Sequence, residues 1–150
     1  MSSTLRDIAD ALAASLAAET FSSVVDQPTV ERVNWPAYDV DDLRSPVIAV
    51  TPGGAEATRI ARPSVFEYDY AVSVFLGRHT PTEAGADAML DMAEELLDLI
   101  RSHDWSEGAE WPTGVTSPMT VEIEINPDDA LQERNVWRAV ITATYRVHRA

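Results

Sequence analysis

Phe66–Leu76, with the sequence FEYDYAVSVFL, is the stretch that decides the fold. Every even-numbered position in it is aromatic or aliphatic, while Glu67, Asp69 and Ser73 fall on the odd-numbered positions. Alternation over eleven residues predicts a β-strand with one buried face, longer than the usual strand of about 5–6 residues. The rest of the chain must therefore supply a second layer to cover that face.

A helical pattern follows this strand directly. After a turn at residues 76–79, Thr80-Pro81-Thr82-Glu83 has the form of a capping box with proline at the first helical position, which predicts a helix over residues 81–101. Its apolar side chains recur at helical spacing, namely Ala88, Met89, Met92, Ala93, Leu96, Leu99 and Ile100. We expect the strand to fold back on this helix, placing Phe66, Tyr68, Tyr70, Val72 and Val74 against Met89, Met92, Leu96 and Ile100, beside Leu5, Leu12 and Leu16.

The N-terminal half contains shorter elements. Residues 4–19 have helical periodicity, and Thr4 and Asp7 resemble a capping box. A short strand is predicted around Thr29–Asn34 and an acidic loop over residues 38–44. Val47–Val50 is apolar throughout, which predicts a short strand buried on both faces. Pro52-Gly53-Gly54 then reads as a turn, before a weak edge strand at residues 55–61.

The C-terminal part predicts a hairpin. Val121, Ile123 and Ile125 alternate with glutamates, and residues 136–148 alternate in the same way. Two such strands joined by about nine residues favour antiparallel pairing. The apolar faces of the two strands coincide only if the residue numbers of each pair add to an even number. The simplest such register pairs Ile125 with Trp137, Ile123 with Ala139 and Glu124 with Arg138. The whole chain, residues 1–150, is thus expected to be one α+β domain, a mostly antiparallel sheet of four to five strands with two helices packed on one face.

Composition excludes several classes of function. The chain has 11 basic and 25 acidic residues, a net charge of −14 and an isoelectric point near 4.4. Such a charge argues against sequence-specific or general nucleic-acid binding and against docking on anionic lipid. There is no cysteine, so disulfides and thiolate metal sites are excluded. No segment has the pattern of a signal peptide or a membrane span.

No residue pattern predicts a catalytic site, a metal site or a cofactor. His79, His103 and His148 lack the spacing of metal ligands, and Asp39–Asp42 lacks the central glycine and final glutamate of a calcium loop. Gly53-Gly54 belongs to no phosphate-binding motif, and no serine lies in a GxSxG sequence. Glu122 and Glu124 share one strand face, which a solvent-facing alternation explains.

Opposite charges are sorted onto different elements, which makes these residues candidate interface residues. The long helix carries Asp87, Asp91, Glu94, Glu95 and Asp98, while the last strand carries Arg138, Arg146 and Arg149. This pattern fits self-association of one subunit's acidic face with a neighbour's arginines. It fits equally a pairing of Arg138 and Arg146 with Glu67, Asp69 or Glu124 across the sheet of one subunit. Trp105 and Trp111 are candidate apolar anchors, or alternatively a lid over one end of the core.

The order of these parts resembles the tail terminator (tail completion) proteins of long-tailed bacteriophages. The resemblance covers most of the chain. It comprises the alanine- and leucine-rich first helix, Val33-Asn34-Trp35-Pro36, Ser45–Val50, the long strand, the acidic helix with Leu96-Leu97-Asp98-Leu99-Ile100, and the arginine-bearing strand 138–149. It implies a structural virion protein without catalytic residues. Such a protein forms a homomeric ring, usually of six copies, in the neck of the particle, and is in the host cytoplasm during assembly.

The partners that this resemblance implies are further copies of the chain, the tail tube protein and the head-tail connector or neck proteins. Other readings stay open at this point. Another neck or head-closure protein uses a similar small fold, and an acidic nucleic-acid mimic that blocks a basic partner would explain the charge. A small enzyme has no residue constellation to support it.

Overall fold

The computed structural model describes residues 3–61, 65–102, 112, 115, 118–125 and 135–149. The helices are α1 (Thr4–Ala17), α2 (Glu83–Ser102) and a 3-10 turn at Val40–Leu43. The strands are β1 (Thr29–Arg32), β2 (Val47–Ala61), β3 (Val65–His79), β4 (Thr120–Ile125) and β5 (Val136–Arg149). They form one sheet in the order β1-β2-β3-β5-β4, with β1 parallel to β2 and the other pairs antiparallel. The predicted α+β class is confirmed.

β3 lies at the centre of the sheet, and its even-numbered face meets the helices as expected. The buried cluster contains Tyr70, Val72, Val74 and Leu76 of β3, Met89, Met92, Leu96 and Ile100 of α2, and Leu12 and Leu16 of α1, with Leu5 and Tyr68 partly buried against it. Phe66 was wrongly placed in this core. It is half-buried at the far end of β3, where the guanidinium carbon of Arg59 lies 5.5 Å from its ring centre. β3 therefore extends beyond the buried core, and Phe66 lies in the part that extends.

The predicted turn at Pro52-Gly53-Gly54 is wrong, because β2 runs through it. The ladder between β2 and β3 continues with a register shift between Pro52 and Gly54, which is a β-bulge. A Cβ on Gly53 would lie 2.8 Å from the carbonyl oxygen of Ala71, so the two backbones approach too closely for any side chain. Glycine is here required by close approach within a strand and not by chain reversal.

The first helix begins at Thr4 as predicted and ends at Ala17, but the N-caps of both helices differ from the predicted ones. The N-cap of α1 is Ser3, whose hydroxyl accepts from the amide of Arg6. In α2 the hydroxyl of Thr82 accepts from the amide of Gly85 at 3.1 Å, so the helix begins at Glu83 and not at Pro81. The Thr80 amide, which the predicted capping box would pair with the Glu83 carboxylate, instead donates to the carbonyl of Asn135 at 2.7 Å, and this bond ties Thr80 to the start of β5.

The hairpin of β4 and β5 has the predicted parity but not the predicted register. Ile125 pairs with Ala139, Ile123 with Ile141 and Glu124 with Val140. The register is therefore displaced by two residues from the simplest one, and Glu124 does not face Arg138. A displacement of two keeps every side chain on its face, so side-chain periodicity cannot distinguish the two registers.

The face of the sheet opposite the helices has a small apolar patch at one end and is polar elsewhere. Leu43, Val47, Ala49, Phe75 and Val136 form the patch. Tyr38 stacks on Phe75 with ring centres 5.6 Å apart, so the predicted acidic loop covers this end of the sheet. Because Val47 and Ala49 face this patch while Ile48 and Val50 face the helices, the start of β2 is buried on both sides as predicted. Beyond the patch, the face carries Glu67, Asp69, Ser73, Thr142, Thr144 and Arg146, and we call this part the open face.

Candidate interaction surfaces

The predicted acidic face of α2 is present and borders a groove. Asp87, Asp91, Glu94 and Asp98 are exposed, and Glu95 is half-buried. All of these acids except Asp87 line, with Ser22, Ser23 and Leu99, a groove of about 480 Å³. Asp98 also forms an ion pair with Arg101 at 2.8 Å. The groove is therefore bounded on one side by α2 and on the other by the connection between α1 and β1.

Glu95 has a structural role within the subunit. Its carboxylate accepts from the amides of Ser22 and Ser23 at 2.9 and 3.2 Å and from their hydroxyls at 3.3 and 2.6 Å. Burial raises the pKa of this carboxyl, but the hydrogen bonds from Ser23 and Ser22 outweigh it and hold the pKa below its usual value. Of the acids predicted as interface residues, this one fixes the α1–β1 connection to the helix.

A second clamp holds the same connection. The Gln27 side-chain amide accepts from the Phe21 amide at 2.8 Å and donates to the carbonyls of Phe21 and Val24 at 2.9 and 3.1 Å. Asp26 pairs with Arg78 at 3.3 Å. Sequence reasoning missed this braced loop, residues 18–28, because its valines favour a strand and two of its partners, Glu95 and Arg78, lie far along the chain.

The arginines of β5 do not form one cluster. Arg146 contacts Glu67 at 2.7 Å and donates two hydrogen bonds to Asp69 at 2.9 and 3.1 Å, so the predicted alternative of pairing across the sheet is confirmed. The hydrogen bond from Arg146 lowers the pKa of Asp69. Arg138 instead lies half-buried over the ring of Phe75, at 5.7 Å. The backbone of Arg149 pairs with Phe66, while Trp105 and Trp111 lie outside the described residues.

The sheet ends in an open edge on each side. β1 pairs with β2 along Val47–Val50. The last hydrogen bond between the two segments joins the Val33 amide to the Val50 carbonyl at 3.0 Å. Past that point no described residue pairs with the outer edge of β2, and every side chain from residue 55 to residue 60 is exposed. On the opposite side, the outer edge of β4 has no strand partner within the described ranges. Sequence reasoning identified the weak edge strand but not the breadth of the opening.

Exposed apolar side chains concentrate beside these two edges. Six large apolar residues are exposed among those described, and four of them flank the open edges: Trp35 at 74%, Ile60 at 50%, Met119 at 44% and Ile125 at 43%. Trp35 follows β1 two residues after its last bond to β2, and Ile60 lies near the end of β2. Met119 and Ile125 bracket β4. Exposed strand edges with apolar flanks are typical of protein association surfaces.

The described residues form no cluster that would bind a metal ion. Within these ranges no three His, Asp or Glu side chains are grouped closely enough to hold a metal ion. None of the described helices combines the length and the apolar character that crossing a membrane requires. The candidate surfaces are therefore the acidic groove, the braced loop and the two open edges.

No protein-family model matches the chain, and no curated protein matches it significantly.

Proposed function

We propose that this protein is a structural virion protein, one subunit of a homomeric ring that caps a phage tail tube and joins it to the head-side neck. The ring has six copies in the tail terminators that the chain resembles. The protein performs no reaction of its own in this role. Its partners are further copies of itself, the tail tube protein and the head-tail connector proteins.

The observation that carries this proposal is the pair of open edges on opposite sides of one sheet. In a cyclic ring every contact is head-to-tail, so each subunit must present two different surfaces that complement one another. β2 and β4 supply two such surfaces, each with an exposed backbone edge and apolar flanks. A symmetric dimer, in contrast, would occupy one patch on both subunits and leave the other edge uncovered.

The acidic face of α2 supports contact with a different, basic partner in the particle. All 11 basic residues of the chain are arginines, and Arg32, Arg44, Arg78, Arg101 and Arg146 pair with acids of the same subunit. Within the described part of the chain, those arginines are already engaged. Since complementary charge steers partners and sets orientation, the α2 acids fit a neck or tube protein with a basic surface.

The test is the composition and morphology of purified particles. The chain should be present in mature virions in a small fixed number of copies, at the head-proximal end of the tail. Particles made without it should have tails of abnormal length that fail to join heads. Absence of the chain from virions, or a monomeric chain within them, would contradict the proposal.

One alternative is favoured by a specific observation. The net charge of −14 and the exposed acids along α2 fit a nucleic-acid mimic that binds a basic protein. A mimic acts as a monomer or dimer and titrates its target one to one, whereas a terminator forms a ring. Native mass spectrometry of the purified chain separates the two.

A further inference from the structure

We propose that the ring closes by antiparallel strand pairing, with the outer edge of β2 at residues 55–60 of one copy bound to the outer edge of β4 of the next copy. This inference rests on the proposed ring. It replaces the predicted contact between arginines and the acidic helix as the principal closing contact, because Arg146 is engaged with Glu67 and Asp69 of its own subunit.

The directions of the two strands agree with this pairing. β2, β3, β5 and β4 are joined by three successive antiparallel ladders, so β2 and β4 run in opposite directions within one subunit. Copies in a ring are related by rotation, which preserves the sense of each strand relative to its neighbour. The β2 edge of one copy and the β4 edge of the next are therefore antiparallel. The paired segments also match in length, because β4 has six residues and residues 55–60 are the exposed stretch of β2.

The levels of the two strands fix how neighbouring copies are displaced. When the paired residues are followed from β4 through β5 and β3 to β2, β4 is level with Ile48–Gly54 of its own subunit. The open edge of β2 begins one residue later. Pairing therefore displaces the next copy by about six residues along the strands, or about 20 Å at about 3.3 Å per residue.

That displacement is compatible with a closed ring. Each copy adds four strand spacings around the ring, three between β2 and β4 and one at the junction, which is about 19 Å at about 4.8 Å per spacing. If the strands tilt by about 45° to the ring axis, a shift of about 20 Å along the strands and a step of about 19 Å across them have equal and opposite components along that axis. The next copy then lies at the same height as the first. Closed barrels have strand tilts of about 35–45°, so the sheets can join without accumulating a rise.

The side chains at the proposed junction also complement one another. With even-sum registers, Val121, Ile123 and Ile125 lie on the helix side of the joined sheet, beside the small residues Ala55 and Ala57. Antiparallel pairing brings the Ile125 end of β4 to the start of the open edge, where Trp35 is exposed, and the Met119 end to Ile60. The pairing thus brings one exposed apolar residue at each end of β4 to the matching end of the open edge of β2.

Cysteine cross-linking tests the junction, because the natural chain has no cysteine. An Ala57→Cys protein is mixed with a Val121→Cys, Ile123→Cys or Ile125→Cys protein and oxidised. Residues opposite one another in a sheet lie within the Cα separation of about 4.4–6.8 Å that a disulfide needs. We expect a band at twice the subunit mass of 16.4 kDa for at least one of the three mixtures. The matched control is Thr58→Cys with the same three partners, which lie on the opposite face and should not cross-link.

A second measurement guards against misfolding or accidental oxidation. The double variant Ala55→Asp with Ala57→Asp puts charge on an already exposed edge, so its circular dichroism spectrum should match the wild type while its ring dissociates. The control is Glu94→Lys, an exposed change on α2, which should leave the ring intact.

The outcomes separate this inference from the proposed function. Rings in the wild type with cross-links confined to the Ala57 mixtures support strand pairing. Rings without those cross-links, or rings that survive the double aspartate change, overturn the junction and leave the ring proposal standing. Efficient self-linking of Ala57→Cys alone indicates a symmetric contact and also overturns it. A chain that stays monomeric at every concentration and in the particle overturns both proposals.

Discussion

Arg146 and Asp69 lie directly opposite one another on β5 and β3, and the guanidinium donates two hydrogen bonds to the carboxylate, at 2.9 and 3.1 Å. Glu67 contacts the same guanidinium at 2.7 Å and also approaches His148 at 3.3 Å. The most prominent charge contact of the last strand is thus internal to the subunit. It joins the two long strands on the open face of the sheet.

Reversing this charge should weaken the subunit more than the ring. In Arg146→Glu with Arg149→Glu, residue 146 becomes a third acid beside Glu67 and Asp69, so like charges replace the ion pair. We expect a melting temperature lower by a few degrees, with the effect decreasing at high salt because the site is exposed. Native mass spectrometry should still show rings.

The control for that experiment is Arg44→Glu, which breaks the exposed pair with Asp41 at 3.2 Å in the loop between β1 and β2. It should change the melting temperature little. If the double reversal melts like the wild type but no longer forms rings, the arginines close the ring and the internal role assigned to Arg146 is wrong.

Truncating the core face of α2 should destabilise the protein strongly. Leu96 is fully buried between α2 and the sheet, so Leu96→Ala should lower the free energy of unfolding by about 2–5 kcal/mol. Leu90 on the same helix is 38% exposed and serves as the matched control, since its truncation leaves a smaller cavity. Urea unfolding followed by circular dichroism measures both. Equal effects of the two substitutions would contradict the observed orientation of the helix.

The hydrogen bonds from Ser22 and Ser23 to the Glu95 carboxylate, here called the tether, should make the free energy of unfolding depend on pH. The pKa of Glu95 is lower in the folded chain than in the unfolded one, so the unfolded state takes up the proton first as the pH falls. The stabilisation is therefore complete above the ordinary glutamate pKa and is lost as the pH falls through the folded pKa. Glu95→Gln should reduce stability at neutral pH and flatten the decline in acid.

Glu94→Gln is the control for this pH dependence, because Glu94 is the exposed neighbour of Glu95 on the same helix. The unfolding free energy of Glu94→Gln, measured from neutral pH down to the acid range, should depend on pH in nearly the same way as that of the wild type. Parallel profiles for the wild type and Glu95→Gln would mean that the tether does not link stability to proton binding.

The two adjacent glycines of β2 should respond differently to a methyl group. Gly53→Ala places its Cβ 2.8 Å from the Ala71 carbonyl oxygen, and relief requires the two strands to move apart. We expect a loss of about 1–3 kcal/mol in unfolding free energy, as for other overpacked sites. Gly54→Ala meets no atom within 4 Å and should be nearly neutral. A larger cost at Gly54 than at Gly53 would show that the bulge is misplaced.

The residues that a local pattern can specify were predicted well. Alternation along β3 and β5 and the helical spacing of α2 gave the strands, the long helix and most of the core, since burial of an apolar face depends on a period that is visible in sequence. The parity of the β4–β5 ladder follows from the same requirement. The separation of acidic and basic residues in the sequence likewise predicted, as one of two alternatives, that Arg146 pairs with Glu67 or Asp69 across the sheet.

Features that depend on distant partners were decided by the tertiary structure. Glycine is needed at Gly53 because the Ala71 carbonyl of the neighbouring strand approaches it, and the amide of Thr80 bonds to Asn135 across the fold instead of taking part in the predicted capping box. The β4–β5 register differs from the simplest one by two residues, a change that leaves every side chain on its face. Among the described residues, the outer edges of β2 and β4 are open because β1 leaves the sheet after Val33 and no further strand pairs with β4. Sequence periodicity records which face of a strand is buried, but an edge is defined by which strand lies alongside, and only the assembled sheet determines that.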